Sequence, residues 1–210
     1  ACQFGAGGDV RFSPALFLYR AAVLVLAPFA GLWLGARARE GKEDQARLGE
    51  RFGRYSQQRP RGRIIWFHAA SVGESSVAAG LIEALAARDT TLNFLISTGT
   101  KTSADLIARR ALSRTTHVYA PLDSGDAVRR FLAHWQPDAG VLVESELWPN
   151  LILGAERRGV PLALVNARMS PKSLARWQRW AAAGARLLKA FAFIGAADAR
   201  TAEALTAVRG

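Results

Sequence analysis

Glu74, Glu144 and Glu146 are the residues of this 210-residue chain best suited to proton transfer, because each stands in a loop that follows a short apolar run. A carboxylate fixed at such a place can act as a general base toward a hydroxyl group. Ser71 and Glu74, however, also have the S-x-x-E spacing of a capping box, in which hydroxyl and carboxylate satisfy free N–H groups at a helix start. The two roles conflict, since a helix N-terminus lowers a carboxylate's pKa whereas a base benefits from a higher one. Glu144 and Glu146 are two residues apart and share a face if the chain is extended there. Mutual repulsion and desolvation would then raise at least one of their pKa values, although either could instead cap a helix or pair with an arginine.

Groups able to hold an anion stand in comparable loops. Gly73 permits close backbone approach beside the N–H groups of the helix that follows. Thr98 and Lys101, in the run Thr98-Gly99-Thr100-Lys101-Thr102, could bind phosphate, with Thr100 as an ordinary helix cap the competing explanation. Asn166 and Arg168 close another apolar run, and a guanidinium suits bidentate contact with phosphate or carboxylate. Trp148 is assigned to packing and Pro149 to the first turn of a helix. Neither a G-x-G-x-x-G fingerprint nor a phosphate-binding P-loop follows any apolar run, which argues against a dinucleotide dehydrogenase or an NTPase. With Cys2 as the one cysteine and with His68, His117 and His134 scattered, neither a disulfide framework nor a Cys/His metal site is expected, and no cofactor is called for.

The elements that must position these groups follow from apolar periodicity. Runs at 64–69, 92–97, 117–120, 139–144, 161–166 and 191–195 read as strands, with helices beginning near Ser75, Lys101, Ser124, Leu147 and Ser170. Strands apolar on both faces and separated by helices predict an α/β, Rossmann-like doubly wound parallel sheet. In the common strand order the first and fourth strands are neighbours, so the loops at 70–74 and 144–150 meet at the topological switch point. Glu74, Glu144 and Glu146 are thereby expected in one crevice.

Residues 14–36 form an apolar stretch of about the length that crosses a hydrocarbon core of roughly 30 Å, interrupted by Arg20 and Pro28. Arg37, Arg39 and Lys42 follow it, the order of an uncleaved anchor whose downstream chain stays cytoplasmic. A helix buried against protein and a helix lying in the membrane surface are the alternatives. Residues 37–62 are basic and contain RLGERFGRY, read either as an amphipathic helix along anionic headgroups or as a solvated linker. The domain proper is then 63–210, and residues 1–13 are an unassigned tail.

Lys plus Arg number 28 against 17 Asp plus Glu, a formal net charge of +11 that calls for an anionic partner. Nucleic acid is disfavoured because no recognition motif accompanies the charge. Anionic membrane lipids or a phosphorylated substrate fit better.

The segments WFHAASVGE, ISTGTKTSA, YAPLD, ESELWPNLI and GVPLALVNARMS resemble, in order, the N-terminal domain of the Kdo (3-deoxy-D-manno-octulosonic acid) transferases, and the apolar helix and RLGERFGRY match that pattern too. The resemblance extends from about Pro14 onward and departs from the family at Ser145, where threonine is usual. It implies the acceptor-binding half of a two-domain GT-B glycosyltransferase, which moves Kdo from CMP-Kdo to the lipid A precursor of lipopolysaccharide with inversion and without a metal. It further implies Glu74 as general base, with Glu144 and Glu146 in support, at the cytoplasmic face of a bacterial inner membrane. Because the family continues into a donor-binding domain, the chain is expected to be a fragment with no turnover of its own. A transferase for another lipid-linked sugar and a non-catalytic, membrane-docked binding module are the alternative functions.

Overall fold

The computed structural model describes residues 13–144, 147–168 and 180–209. Six strands, β1 (Ile64–Ala69), β2 (Asn93–Thr98), β3 (Thr115–Tyr119), β4 (Ala139–Val143), β5 (Leu162–Ala167) and β6 (Phe191–Ala196), form one sheet in the order β3-β2-β1-β4-β5-β6. Every pairing is parallel. The expected doubly wound α/β arrangement is therefore the observed one, with β1 beside β4 and His68 aligned with Leu142.

Side chains alternate along each strand, so a sheet covered on both sides needs apolar residues at successive positions. In β1, Ile64 and Trp66 join a core with Phe131, Trp135, Leu151 and Leu187, whereas Phe67 and Ala69 join a second core with Ile82, Phe94, Ile96 and Ile107. The covering helices are α4 (Val72–Arg88) and α5 (Lys101–Arg110) on the second core, and α6 (Gly125–Trp135), α7 (Pro149–Arg157) and α8 (Ala181–Leu188) on the first. A last helix, α9 (Ala199–Arg209), adds Leu205 and Val208 to the first core. Ser71, Thr100 and Ser124 cap α4, α5 and α6 through their hydroxyl oxygens, which accept the N–H groups of Glu74, Ser103 and Ala127. The helix expected near Ser170 falls outside the described residues.

Ahead of the sheet, α1 (Pro14–Leu26) and α2 (Ala30–Arg39) are joined by one tighter turn, Ala27–Phe29, at Pro28. This 26-residue rod has a mean hydropathy of 1.9 in its most apolar window. Leu24 is 76% exposed and Leu32 75%, and Phe17, Leu18, Val25 and Phe29 are largely exposed as well. Among the described residues nothing covers this face. The rod nevertheless touches the domain near both ends, through Tyr19 and Arg20 at one and the buried Leu34 and Arg37 at the other.

The segment after it is docked on the domain and is not the solvated linker of the second sequence expectation. A turn at Gln45–Arg47 and α3 (Leu48–Arg51) dock on β3, burying Glu43, Glu50 and Arg51. Arg51 pairs with Glu43 (2.8 Å) and donates to the carbonyls of Ala120 (3.2 Å) and Gly99 (2.6 Å). Glu50 pairs with Arg47 and accepts the Tyr119 N–H at 2.7 Å. Buried charges persist when each is both paired and hydrogen-bonded, as these are. Gly53 follows because a Cβ there would lie 2.4 Å from the Ala127 carbonyl oxygen, and its φ of +72° suits glycine.

Candidate active-site edge at the switch point

Parallel strands place their carboxyl ends along one edge, and adjacency of β1 and β4 brings the loops after them together. Glu74 sits in the first turn of α4, 6% exposed, and one of its oxygens accepts the Ala70 N–H at 2.8 Å. Its other oxygen accepts the Ser71 hydroxyl hydrogen at 2.8 Å, and Ser71 Oγ accepts the Glu74 N–H at 3.3 Å. The capping box is thus real. It also fixes the carboxylate at the switch point.

Glu144 is the first residue beyond β4 and adopts φ +62°, a left-handed conformation unfavourable for a side chain of its size. Its N–H still donates to Val165 O (2.9 Å), and its carboxylate accepts from Asn166 Nδ2 (3.3 Å). Asn166, within β5, is itself left-handed at φ +53°. Two adjacent strand ends therefore carry left-handed non-glycine residues bonded to each other, a concentration of backbone strain of the kind found at functional sites. Glu146 lies outside the described residues, so its expected place in the crevice is not seen.

The remaining candidates divide. Ser71 and Gly73 are exposed at the mouth of α4, and nothing lies within 4 Å of a Cβ built on Gly73. Lys101 is exposed at the first position of α5, behind the Thr100 cap. Arg168 is exposed just past β5. Thr98 departs from expectation: it is fully buried, and its hydroxyl is held against His117 Nε2 at 2.9 Å, which turns it away from any ligand in the loop. The loop after β2 instead abuts the loop after β1, since a Cβ on Gly99 would fall 2.8 Å from Ala70 O.

A groove of about 730 Å³ opens along this edge between α1 and the sheet; among the described residues Glu144, Asp123 and Arg168 are its charged lining and Trp148, Leu164 and Leu187 belong to its apolar lining. Glu74 stands at the same edge but does not line the groove.

Asp123 escaped sequence reasoning. Its carboxylate accepts the Asn150 and Leu151 N–H groups at 3.0 and 2.7 Å, supplying α7 with a cap from 27 residues upstream that Trp148 does not provide. It also accepts the Tyr19 hydroxyl hydrogen at 2.7 Å, while Arg20 Nε donates to Asn150 Oδ1 at 3.2 Å. Burial pushes the Asp123 carboxyl up from 3.8 to about 6, against these hydrogen bonds and the nearby Arg20 charge. Neither sequence spacing nor periodicity signals such a long-range cap.

Behind the edge, His68 is fully buried, with Nδ1 3.0 Å from Ser97 Oγ and its ring edge-on to Trp148. Burial lowers its pKa to about 4, so the imidazole is neutral at physiological pH. Ser97 Oγ also accepts Trp66 Nε1–H at 2.8 Å. Trp148 is thereby seated on a polar pair inside the core.

The family model for 3-deoxy-D-manno-octulosonic-acid transferase (kdotransferase) matches residues 46–210. The chain is 42% identical over 160 residues to the probable mitochondrial 3-deoxy-D-manno-octulosonic acid transferase of Arabidopsis thaliana, covering 76% of this chain and 36% of that protein. It is 36% identical over 162 residues to the 3-deoxy-D-manno-octulosonic acid transferase of Rickettsia bellii, covering 77% of this chain and 38% of that one. For the enzyme of that name from Bordetella pertussis the values are 37% over 163 residues, 75% and 38%. This chain therefore spans well under half the length of these relatives. A match over most of the chain, on a parallel sheet whose switch-point edge carries Glu74 and Glu144, makes it a member of the 3-deoxy-D-manno-octulosonic acid transferase family.

Proposed function

We propose that this chain is the acceptor-side half of an inverting, metal-independent GT-B glycosyltransferase that moves Kdo from CMP-Kdo to the lipid A precursor at the cytoplasmic face of an inner membrane. Glu74 takes the proton of a glucosamine hydroxyl as that oxygen attacks the anomeric carbon of Kdo, and CMP departs with the electrons of the breaking bond. The supporting observation is the position of Glu74, held through both oxygens at the switch point of a sheet whose sequence belongs to this family. Glu144, positioned by Asn166, supports the site from the neighbouring strand, and Glu146 is assigned beside it. Ser71, Gly73, Lys101, Asn166 and Arg168 are exposed or partly exposed at the same edge, where they can meet the sugar or its phosphates. The donor contacts are assigned to the part of the relatives that this chain does not span.

Glu74→Gln separates catalysis from architecture, because glutamine serves as well as glutamate at this position of a capping box but cannot accept a proton. In a full-length enzyme containing this sequence, the variant is expected to lose about 10²- to 10⁴-fold in kcat with unfolding stability nearly unchanged. Retained turnover would leave Glu74 with the capping role alone and end its assignment as the base. The 210-residue chain by itself is expected to bind little CMP-Kdo and to transfer none, as equilibrium binding and a radiolabelled transfer assay would report.

A further inference from the structure

We propose that the groove between α1 and α8 holds one acyl chain of the glycolipid acceptor, an inference that rests on the transferase assignment above. At about 730 Å³ its volume falls within the roughly 300–1,000 Å³ typical of small-molecule sites. Two features keep it open. Ala15 and Ala22 on α1, with Ala183 and Gly184 on α8, put small residues on both walls where larger ones would close the gap. The bonds from Tyr19 to Asp123 and from Arg20 to Asn150 meanwhile fix α1 beside α7 at its polar turn, which sets the position of that wall.

An amphiphile is the ligand that this lining fits. The walls are apolar along α1 and α8, while Glu144 and Arg168 bring charge to the end at the strand edge. Leu18, 60% exposed, belongs both to the groove and to the bare face formed by Phe17, Leu24 and Val25, so the apolar lining is continuous with the surface assigned to the membrane. A chain rising from the lipid layer along α1 thus passes from one apolar surroundings to another and places its polar head beside Glu144.

Photolabelling of the 210-residue chain in lipid nanodiscs tests this. The probe is an acylated glucosamine disaccharide phosphate with a diazirine midway along one acyl chain, and adducts are mapped by peptide mass spectrometry. Adducts are expected on Leu147, Trp148 and residues 181–188, in addition to the bare face at Phe17 and Leu24. Ala22→Trp, at an exposed helix position, should lower the groove adducts about tenfold and leave the bare-face adducts unchanged, since each buried methylene is worth about fourfold in affinity and the indole displaces about two. Labelling confined to the bare face would overturn the proposal, as would groove labelling indifferent to Ala22→Trp. So would equal groove labelling by a diazirine phospholipid that the unlabelled glycolipid fails to displace, because the slot would then serve bulk lipid. Neither donor nor turnover enters this experiment, so its failure is distinguishable from failure of the Glu74→Gln test.

Discussion

Glu144 shows how much a single residue can reveal when its backbone is considered along with its charge. Its φ of +62° is a conformation that an L-residue with a Cβ enters at a cost of roughly 1–2 kcal/mol, which glycine avoids. Glu144→Gly should therefore be more stable to urea than Glu144→Ala by about 1 kcal/mol, the reverse of the usual order at a strand or helix position. Equal stabilities would mean that the left-handed conformation is absent in solution. Both variants are expected to impair transfer in a full-length enzyme, because both remove the carboxylate bonded to Asn166. From sequence, Glu144 and Glu74 were legible as edge residues because the apolar runs before them are unambiguous. Their individual environments were not, since strain at Glu144 and the clasp of Asn166 depend on where two strand ends fall in space.

At the scale of elements, the strands lie within a residue or two of the boundaries expected from apolar runs, because a buried parallel strand is apolar throughout and leaves little choice. The region from Glu40 to Arg63 was the least legible. Its arginines and glutamates look solvated in sequence, yet Glu43 and Arg51 are buried as a pair, with Arg51 also donating to carbonyls 48 and 69 residues away, and Glu50 is buried against Arg47 and the Tyr119 N–H. Periodicity cannot report such partners. The rod of α1 and α2 carries its own prediction. Leu24→Asp with Leu32→Asp places two charges on its bare face, each costing about 2.5–3.5 kcal/mol if that face meets hydrocarbon. The wild-type chain should float with neutral phosphatidylcholine vesicles in 1 M salt, in conditions that screen exposed charge attraction to a Debye length of about 3 Å. The double variant should remain at the bottom of the gradient, and its co-flotation would deny the rod a membrane role.

For the molecule as a whole, the charge of +11 is less available than composition suggests. Arg59 donates to Trp135 O and Gln136 O at the end of α6, and Arg114 to Ala86 O and Asp89 O at the end of α4, so several cations serve as helix C-terminal partners. The titration of buried groups sets a global pH response. Burial lowers His68 from 6.5 to about 4, and burial together with Arg47 and Arg51 lowers His117 from 6.5 to about 3. Both folded values lie below the unfolded one, so this stabilisation is complete above about pH 6.5 and is lost as pH falls toward 4 and 3. Asp123 has the opposite sign, its stabilising protonated form being lost as pH rises through about 6. Two histidines outweigh one aspartate, and urea unfolding should show a net loss of roughly 2 kcal/mol between pH 6.5 and 5. A flat profile over that interval would mean that neither imidazole is sealed from water.

The two fastenings of the N-terminal rod impose one more condition. Tyr19 reaches Asp123 and Arg37 reaches Glu43, so the angular phase of 18 intervening helical steps is locked to the body at each end. Inserting a single residue near Val25 would rotate one end relative to the other by about 100° and advance it about 1.5 Å. Both fastenings could not then be made at once. The rod behaves as a keyed shaft, and the angle at which it is held against the strand edge is set by its number of residues, not by its apolar composition.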